Sequence, residues 1–191
     1  MLDLPGQEER LARAKVSRRY GTAITDALFM SSRDGLHFHR WSEAFIRPGP
    51  RLKDTWVYGD NFVFWGMVET KSHLENAPND ISLYATEGYW EGAYTSVRRY
   101  TLRIDGFVSA YAPLTGGEIV TKPFIFEGGN LTLNAATSAA GGVQVEIQDA
   151  TGKPIQGYCL DECPEIFCDS VRHVVRWRHG GDVRPLAGKP V

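Results

Sequence analysis

The stretch that decides the fold is SVRRYTLRIDGFVSAYAP, residues Ser96–Pro113. Its apolar side chains first fall at alternate positions, Tyr100, Leu102 and Ile104. Asp105-Gly106 interrupts this alternation, and both residues tolerate the positive φ that a tight turn requires. The extended pattern then resumes at Phe107–Tyr111. The stretch therefore predicts two antiparallel strands that form a hairpin at the beginning of a β-sandwich.

The same logic predicts a second hairpin earlier in the chain. Ala23–Met30 and Leu36–Trp41 have strand character, and Asp34-Gly35 lies in the turn between them. Pro48-Gly49-Pro50 then ends regular structure, because proline removes a backbone donor.

Further short segments read as strands at intervals of about ten residues, with glycine turns between them, a spacing typical of sandwiches and barrels. They are Phe62–Val68, Ile81–Ala85, Glu118–Phe126, Leu131–Ala135, Val143–Gln148 and Val171–Trp177. Phe62–Val68 is almost continuously apolar, which indicates a strand buried on both faces. Ile81–Ala85 alternates and is expected to pair with it. Glu8–Val16 is rich in helix formers, with acidic residues first and basic residues last, and predicts a short surface helix.

The predicted fold class is all-β: an antiparallel, jelly-roll-like β-sandwich, preceded by a blade-like β segment and one short N-terminal helix. The corresponding domains are an N-terminal arm over residues 1–20, the blade-like segment over 21–95 and the sandwich over 96–191.

Composition excludes several classes of function. The net charge of the 191 residues is −2, so no overall positive field is present to attract nucleic acid. The small basic group of Arg98, Arg99 and Arg103 is too small to change that expectation. No apolar run approaches the roughly 18 residues of a membrane span. We therefore expect neither nucleic acid nor a membrane as a partner.

The N-terminal residues MLDLPGQEERLARAK do not form a signal peptide, because they contain acidic residues and no apolar core. The compartment stays open. The protein is either cytoplasmic, or secreted or periplasmic if the chain is a fragment that lacks its leader.

The three cysteines, Cys159, Cys163 and Cys168, are odd in number, and no pattern of zinc-ligand spacing accompanies them. Free thiols, one disulfide with a free thiol, and a metal site are all open readings. His37 and His39 are two residues apart on a predicted strand and so share a face, but two histidines need a third ligand to hold a metal. We predict no metal and no cofactor.

Several segments together resemble one family. Ser32-Arg33-Asp34-Gly35, followed by aromatic residues, is similar to the turns of sialidases and of five-bladed glycoside hydrolases of the invertase and arabinanase type. The longer series SSRDGLHFHRWSEAFIRPG, WGMVET, RRYTLRIDGFVSAYAP, GGEIVTKPF, SAAGGVQVEIQDATGKPI and VVRW resembles the C-terminal part of uncharacterised bacterial glycosyl-hydrolase-like proteins. Those proteins have a five-bladed β-propeller followed by a β-sandwich.

The resemblance implies that residues 21–86 end a propeller and that 96–191 form the sandwich. The chain departs from the family in two ways. A five-bladed propeller needs on the order of 300 residues, far more than precede the sandwich here. The relatives also continue past Gly188-Lys189-Pro190 with another strand. We therefore expect a fragment or shortened relative whose open sheet edge is covered by homo-oligomerisation or strand exchange.

By analogy with propellers, in which the innermost strand of each blade faces the sugar-binding funnel, four residues are candidates for carbohydrate contact: Asp60, Asn61, Trp65 and Glu69. A tryptophan ring suits the apolar face of a pyranose, and amides or carboxylates fix its hydroxyls. The alternative is that Trp65 belongs to the core and that Asp60-Asn61 is a turn.

Glycoside hydrolysis requires two carboxyl groups roughly 5–10 Å apart. Asp60 with Glu69 is one candidate pair, and Glu87 with Glu91 is the other. The aromatic residues Tyr89 and Trp90, which lie between Glu87 and Glu91, are further candidates for ligand contact. Solvated charges beside packed aromatic rings are the alternative reading.

Sequence alone thus favours a carbohydrate-associated module that binds glycans or supports a glycoside hydrolase. A hydrolase that uses Asp60, Glu69 and Glu87 is the second hypothesis, and a structural or oligomerisation module the third.

Overall fold

The computed structural model describes residues 25–50, 61–88 and 96–191. Seven strands and two short 3-10 turns account for the regular structure of these residues. The strands are β1 (Ala27–Ser32), β2 (Phe38–Ile46), β3 (Val68–Thr70), β4 (Asp80–Glu87), β5 (Ser96–Arg103), β6 (Thr132–Ala136) and β7 (Asp169–Val174), and the 3-10 turns are Leu160–Glu162 and Arg184–Leu186.

The described chain is all-β, as the sequence predicts, and contains no helix of seven residues or more. The predicted helix Glu8–Val16 lies outside the described residues. Within them, no helical segment has the length and apolar character that crossing a bilayer demands. The strands form three small, separate sheets, β1-β2, β3-β4-β5 and β6-β7, so the finer prediction of a two-layer sandwich is not confirmed.

The chain divides into two compact units, one up to Phe107 and the other from Val108 to Val191. The predicted hairpin around Asp34-Gly35 is confirmed in the first unit. β1 and β2 pair antiparallel, with Ser32 opposite Phe38 at the turn and Ala27 opposite Ile46 at the far end. β2 ends at Ile46, two residues before Pro48-Gly49-Pro50.

The turn between β1 and β2 is closed by two side chains. The Ser32 hydroxyl accepts the Gly35 N–H at 2.9 Å, and Asp34 Oδ1 accepts the His37 N–H at 2.8 Å. Asp34 Oδ2 lies 2.6 Å from His37 Nδ1. These hydrogen bonds, that of the His37 backbone first, hold the pKa of Asp34 well below its usual range. Hydrogen bonds that a charged carboxylate accepts from backbone N–H groups are among the stronger hydrogen bonds in proteins.

Because Asp34 is more acidic in the folded chain than in the unfolded one, its contribution to stability is present near neutral pH. It declines as the pH falls below the usual aspartate pKa of about 3.9. We expect Asp34→Ala to lower the urea midpoint at pH 7, and the difference from wild type to shrink at pH 3. Asp34→Asn, which keeps one acceptor for the backbone N–H groups, should lose less. An equal loss at both pH values would contradict this account of the turn.

The central sheet corrects the prediction made from Ser96–Pro113. β5 pairs along its whole length with β4, from Asp80 opposite Arg103 to Glu87 opposite Ser96. The sequence predicts that this strand begins the sandwich, but the structure places β5 in the first unit. The Asp105-Gly106 turn exists, with Asp105 at φ 54° and the Gly106 N–H donating to the Arg103 carbonyl at 2.9 Å.

The predicted second strand, Phe107–Tyr111, does not form. Phe107 instead packs on the aromatic face of the β1-β2 hairpin, with its ring 5.1 Å from Phe29 and 6.2 Å from Phe45. Aromatic pairs of this kind stabilise a fold beyond the area that they bury. The hairpin prediction was wrong because the turn delivers the chain to an aromatic cluster, not back along β5.

Phe62–Val68 is also not the buried strand that its apolar run predicts. Residues 61–64, at the beginning of this segment, pair with the C-terminal half of β4, and β3 pairs with the N-terminal half of β4. Gly66, at φ 93°, interrupts the strand between these two parts. The result is a bulged outer strand with exposed apolar side chains. The predicted pairing of Ile81–Ala85 with the preceding strand is confirmed.

The second unit has a core of buried side chains that precede and follow β7 in the sequence. They are Tyr158, Cys163, Ile166, Val175, Trp177, Val183 and Leu186. The Trp177 indole N–H donates to the Val145 carbonyl at 3.0 Å. The predicted strands Leu131–Ala135 and Val171–Trp177 appear as β6 and β7, which pair antiparallel. Glu118–Phe126 and Val143–Gln148 contain only isolated bridges.

Candidate functional site

The outer strand of the β3-β4-β5 sheet carries the most exposed aromatic residue of the described chain. Trp65, at the bulge before Gly66, has a relative exposure of 104%, so both faces of its indole are open to solvent. Phe62 and Phe64 on the same strand are also exposed, at 45% and 46%. Exposed apolar rings on one strand make this strand a candidate interaction site. The alternative that Trp65 is a core residue is wrong.

Glu69 follows Trp65 on the same outer strand, within β3. Its Oε1 accepts a hydrogen bond of 2.8 Å from Asn79 Nδ2. Asn79 immediately precedes β4, and the register that sets Thr70 opposite Asp80 brings the two side chains together. A carboxylate next to an amide offers several hydrogen-bonding atoms at one exposed point. No sequence pattern reveals Asn79, because its proximity to Glu69 depends on the register between β3 and β4.

Asn61, a predicted ligand contact, has a different role. It is only 2% exposed, and its Nδ2 donates to the Thr25 carbonyl at 2.9 Å. Its backbone N–H donates to the Thr86 carbonyl, and its φ of 59° is one that asparagine adopts more readily than most residues. Oδ1 finds no hydrogen-bond partner among the described residues. The side chain thus joins two segments of the first unit and is not presented to solvent.

Glu87, a predicted catalytic carboxylate, is occupied by neighbours on β5. Its Oε1 accepts hydrogen bonds from the Tyr100 hydroxyl at 2.7 Å and from Arg98 Nε at 2.6 Å. The hydrogen bond that Arg98 donates to Glu87 raises the pKa of Arg98. This pairing also accounts for one member of the basic group noted in the sequence.

The structure does not bring Glu69 and Glu87 together. Glu69 lies opposite Ile81 in the ladder, and Glu87 is six residues further along β4, a separation of about 20 Å at the usual strand rise. Two carboxyl groups of a glycosidase must be far closer. The other predicted partners, Asp60, Tyr89, Trp90 and Glu91, lie outside the described residues.

His37 and His39 do not converge on one point. His37 Nδ1 is engaged by Asp34, whereas the ring of His39 meets the ring of Trp41 edge-on at 4.3 Å. One imidazole is thus held at the turn and the other against the aromatic cluster.

All three cysteines are free thiols, and Cys163 is buried in the core of the second unit. Ligand atoms of Cys159, Asp161 and Glu162 lie within 4.8 Å of one another, the one such group among the described residues. Glu162 Oε2 already accepts the backbone N–H groups of Gly157 and Cys159, so the arrangement is explained by the local turn. Burial and the neighbouring Glu162 raise the pKa of the Cys159 thiol, which weakens it as a nucleophile and metal ligand.

No protein-family model matches this chain, and neither a curated protein nor a solved structure shows significant similarity to it.

Proposed function

We propose that this protein is a carbohydrate-associated module that binds glycans without cleaving them. The observation that carries the proposal is the fully exposed indole of Trp65, held on the outer strand of a sheet. A flat aromatic face in open solvent suits the apolar C–H face of a pyranose ring. The turn formed by Ser32, Asp34 and Gly35 in the same unit is of the type that the resemblance to glycosyl-hydrolase-like propeller proteins rests on.

The polar half of the site is the Glu69–Asn79 pair. Glu69 is four residues beyond Trp65, which places the pair up to about 13 Å away along an extended chain. That span suits an oligosaccharide. One sugar would stack on the indole, and a hydroxyl group of another sugar of the same chain would donate a hydrogen bond to Glu69. Hydroxyl groups of sugars both donate and accept hydrogen bonds, so a carboxylate and an amide together can satisfy them.

The position of Glu87 favours binding over hydrolysis. Its carboxylate is held by Arg98 and Tyr100, and its distance from Glu69 excludes Glu87 as the catalytic partner of that residue. A hydrolase would need Asp60 beside Glu69 or Glu91 beside Glu87.

The test is affinity electrophoresis, in which a polysaccharide held in the gel slows the migration of a protein that binds it. We expect wild type to be retarded by at least one glycan of a panel, and Trp65→Ala to bind it on the order of tenfold to a hundredfold more weakly. Tyr111→Ala is the matched control, because Tyr111 is also an exposed aromatic residue, at 88%, but lies in the second unit. Glu69→Gln should weaken binding less than Trp65→Ala, since the amide keeps one acceptor.

Equal retention of the Trp65 and Tyr111 variants would overturn the site. Release of reducing sugar by wild type that is lost in Glu69→Gln would overturn the non-catalytic part of the proposal.

A further inference from the structure

The segment Gly117–Pro123 of the second unit has strand-forming residues but no strand partner. Ile119, Val120 and Thr121 are three consecutive β-branched residues, which favour extended backbone. Ile119 and Val120 are 74% and 70% exposed, and no backbone group of residues 117–123 makes a hydrogen bond within the described chain. Directly after the segment, Phe124 exchanges two hydrogen bonds with Val191, of 2.8 and 3.1 Å.

An exposed row of backbone donors and acceptors with β-branched side chains is a template for pairing with another strand. The charges at its two ends indicate which strand. In an antiparallel pair of two identical segments centred on Val120, Glu118 of each copy lies directly opposite Lys122 of the other. The same register sets Ile119 opposite Thr121. Opposite charges and β-branched side chains are both favourable cross-strand pairs.

The register is bounded on both sides. Gly117 has no side chain to add to the pairing, and Pro123 lacks the N–H that a ladder requires. Five residues are therefore suited to it, with the charged ones at the ends and the β-branched ones between.

We propose that residues Glu118–Lys122 are a self-association edge, through which a second copy of this chain pairs antiparallel about a two-fold axis at Val120. Because a two-fold interface is self-complementary, each copy contributes the same five residues. The exposed side chains of Ile119 and Val120 become partly covered on pairing. This segment lies in the second unit, whereas Trp65 lies in the first.

The test is sedimentation equilibrium of the full chain and of charge variants. We expect wild type to dimerise, and Glu118→Lys and Lys122→Glu each to weaken the dimer on the order of tenfold, because two attractive pairs become repulsive. The double variant Glu118→Lys/Lys122→Glu should restore dimerisation. An equimolar mixture of the two single variants should form heterodimers, since every cross-strand pair is then of opposite sign.

Val120→Cys provides a second measurement that does not depend on charge. Side chains directly opposite each other in an antiparallel pair have Cβ atoms about 4.5–5.5 Å apart, close to the distance that a disulfide needs. Mild oxidation should cross-link Val120→Cys into a dimer and leave Ile119→Cys, which faces Thr121, and wild type uncross-linked. A monomeric wild type at high concentration, or a dimer that the charge variants leave unchanged, would overturn the proposal.

Discussion

Trp177→Ala is expected to destabilise the second unit by about 3–5 kcal/mol. Trp177 is 2% exposed, and its ring meets that of Tyr158 edge-on at a centroid distance of 5.1 Å. Removing the indole leaves a cavity among the buried side chains of the core and deprives the Val145 carbonyl of its donor. An orphaned buried acceptor adds to the cost of the cavity. Urea unfolding followed by far-ultraviolet circular dichroism measures the loss.

The matched control for this substitution is Trp65→Ala. The same chemical change at a fully exposed position should alter the free energy of unfolding by no more than about 0.5 kcal/mol. Trp177→Phe should fall between wild type and Trp177→Ala, because it keeps the ring and loses the indole N–H. Equal stability of the two alanine variants would show that Trp177 does not organise this core.

Sequence reasoning succeeded where the information is local. The β1-β2 hairpin follows from Ser32, Asp34 and Gly35, whose side chains and backbone freedom close the turn by themselves. It failed at Asp105-Gly106, although the same dipeptide is present there. The turn forms, but its outcome depends on β4, which pairs with all of β5, and on the aromatic rings that receive Phe107. Neither partner is visible within a short window of sequence.

The prediction that the apolar run Phe62–Val68 is a strand buried on both faces is wrong for a related reason. Continuous apolar character normally indicates burial on both faces. Here Gly66 interrupts the strand and the segment lies on the outer side of β4, so its rings face solvent.

For the candidate site, the analogy with propeller strands proposes Trp65 and Glu69, and the structure places both on the outer strand of one sheet. Sequence could not find Asn79, whose proximity to Glu69 depends on the register between β3 and β4. Nor could it show that Asn61 is buried or that Glu87 is paired with Arg98, since both facts depend on neighbours distant in sequence. Residue chemistry is readable from the chain, whereas the distances between residues are set by pairing.

Phe29→Ala is expected to destabilise the first unit by about 2–4 kcal/mol, somewhat less than the loss of a fully buried phenylalanine, because Phe29 is half-buried. The Phe29 ring lies 5.0 Å from that of Trp41, 5.7 Å from Phe45 and 5.1 Å from Phe107, so it connects the hairpin with the end of β5. Phe38→Ala, in the same hairpin but 57% exposed, is the control and should cost far less. Urea unfolding of both variants gives the comparison.

A double-mutant cycle between Phe29→Ala and Phe107→Ala tests the feature on which sequence and structure disagree. Stacked aromatic pairs contribute about 0.5–1.5 kcal/mol beyond their buried area, so the two substitutions should be non-additive by that amount. If Phe107 instead began a second strand beside β5, it would be remote from Phe29 and the two losses would simply add. A measured coupling near zero would therefore restore the hairpin that Asp105-Gly106 predicts and remove Phe107 from the aromatic cluster.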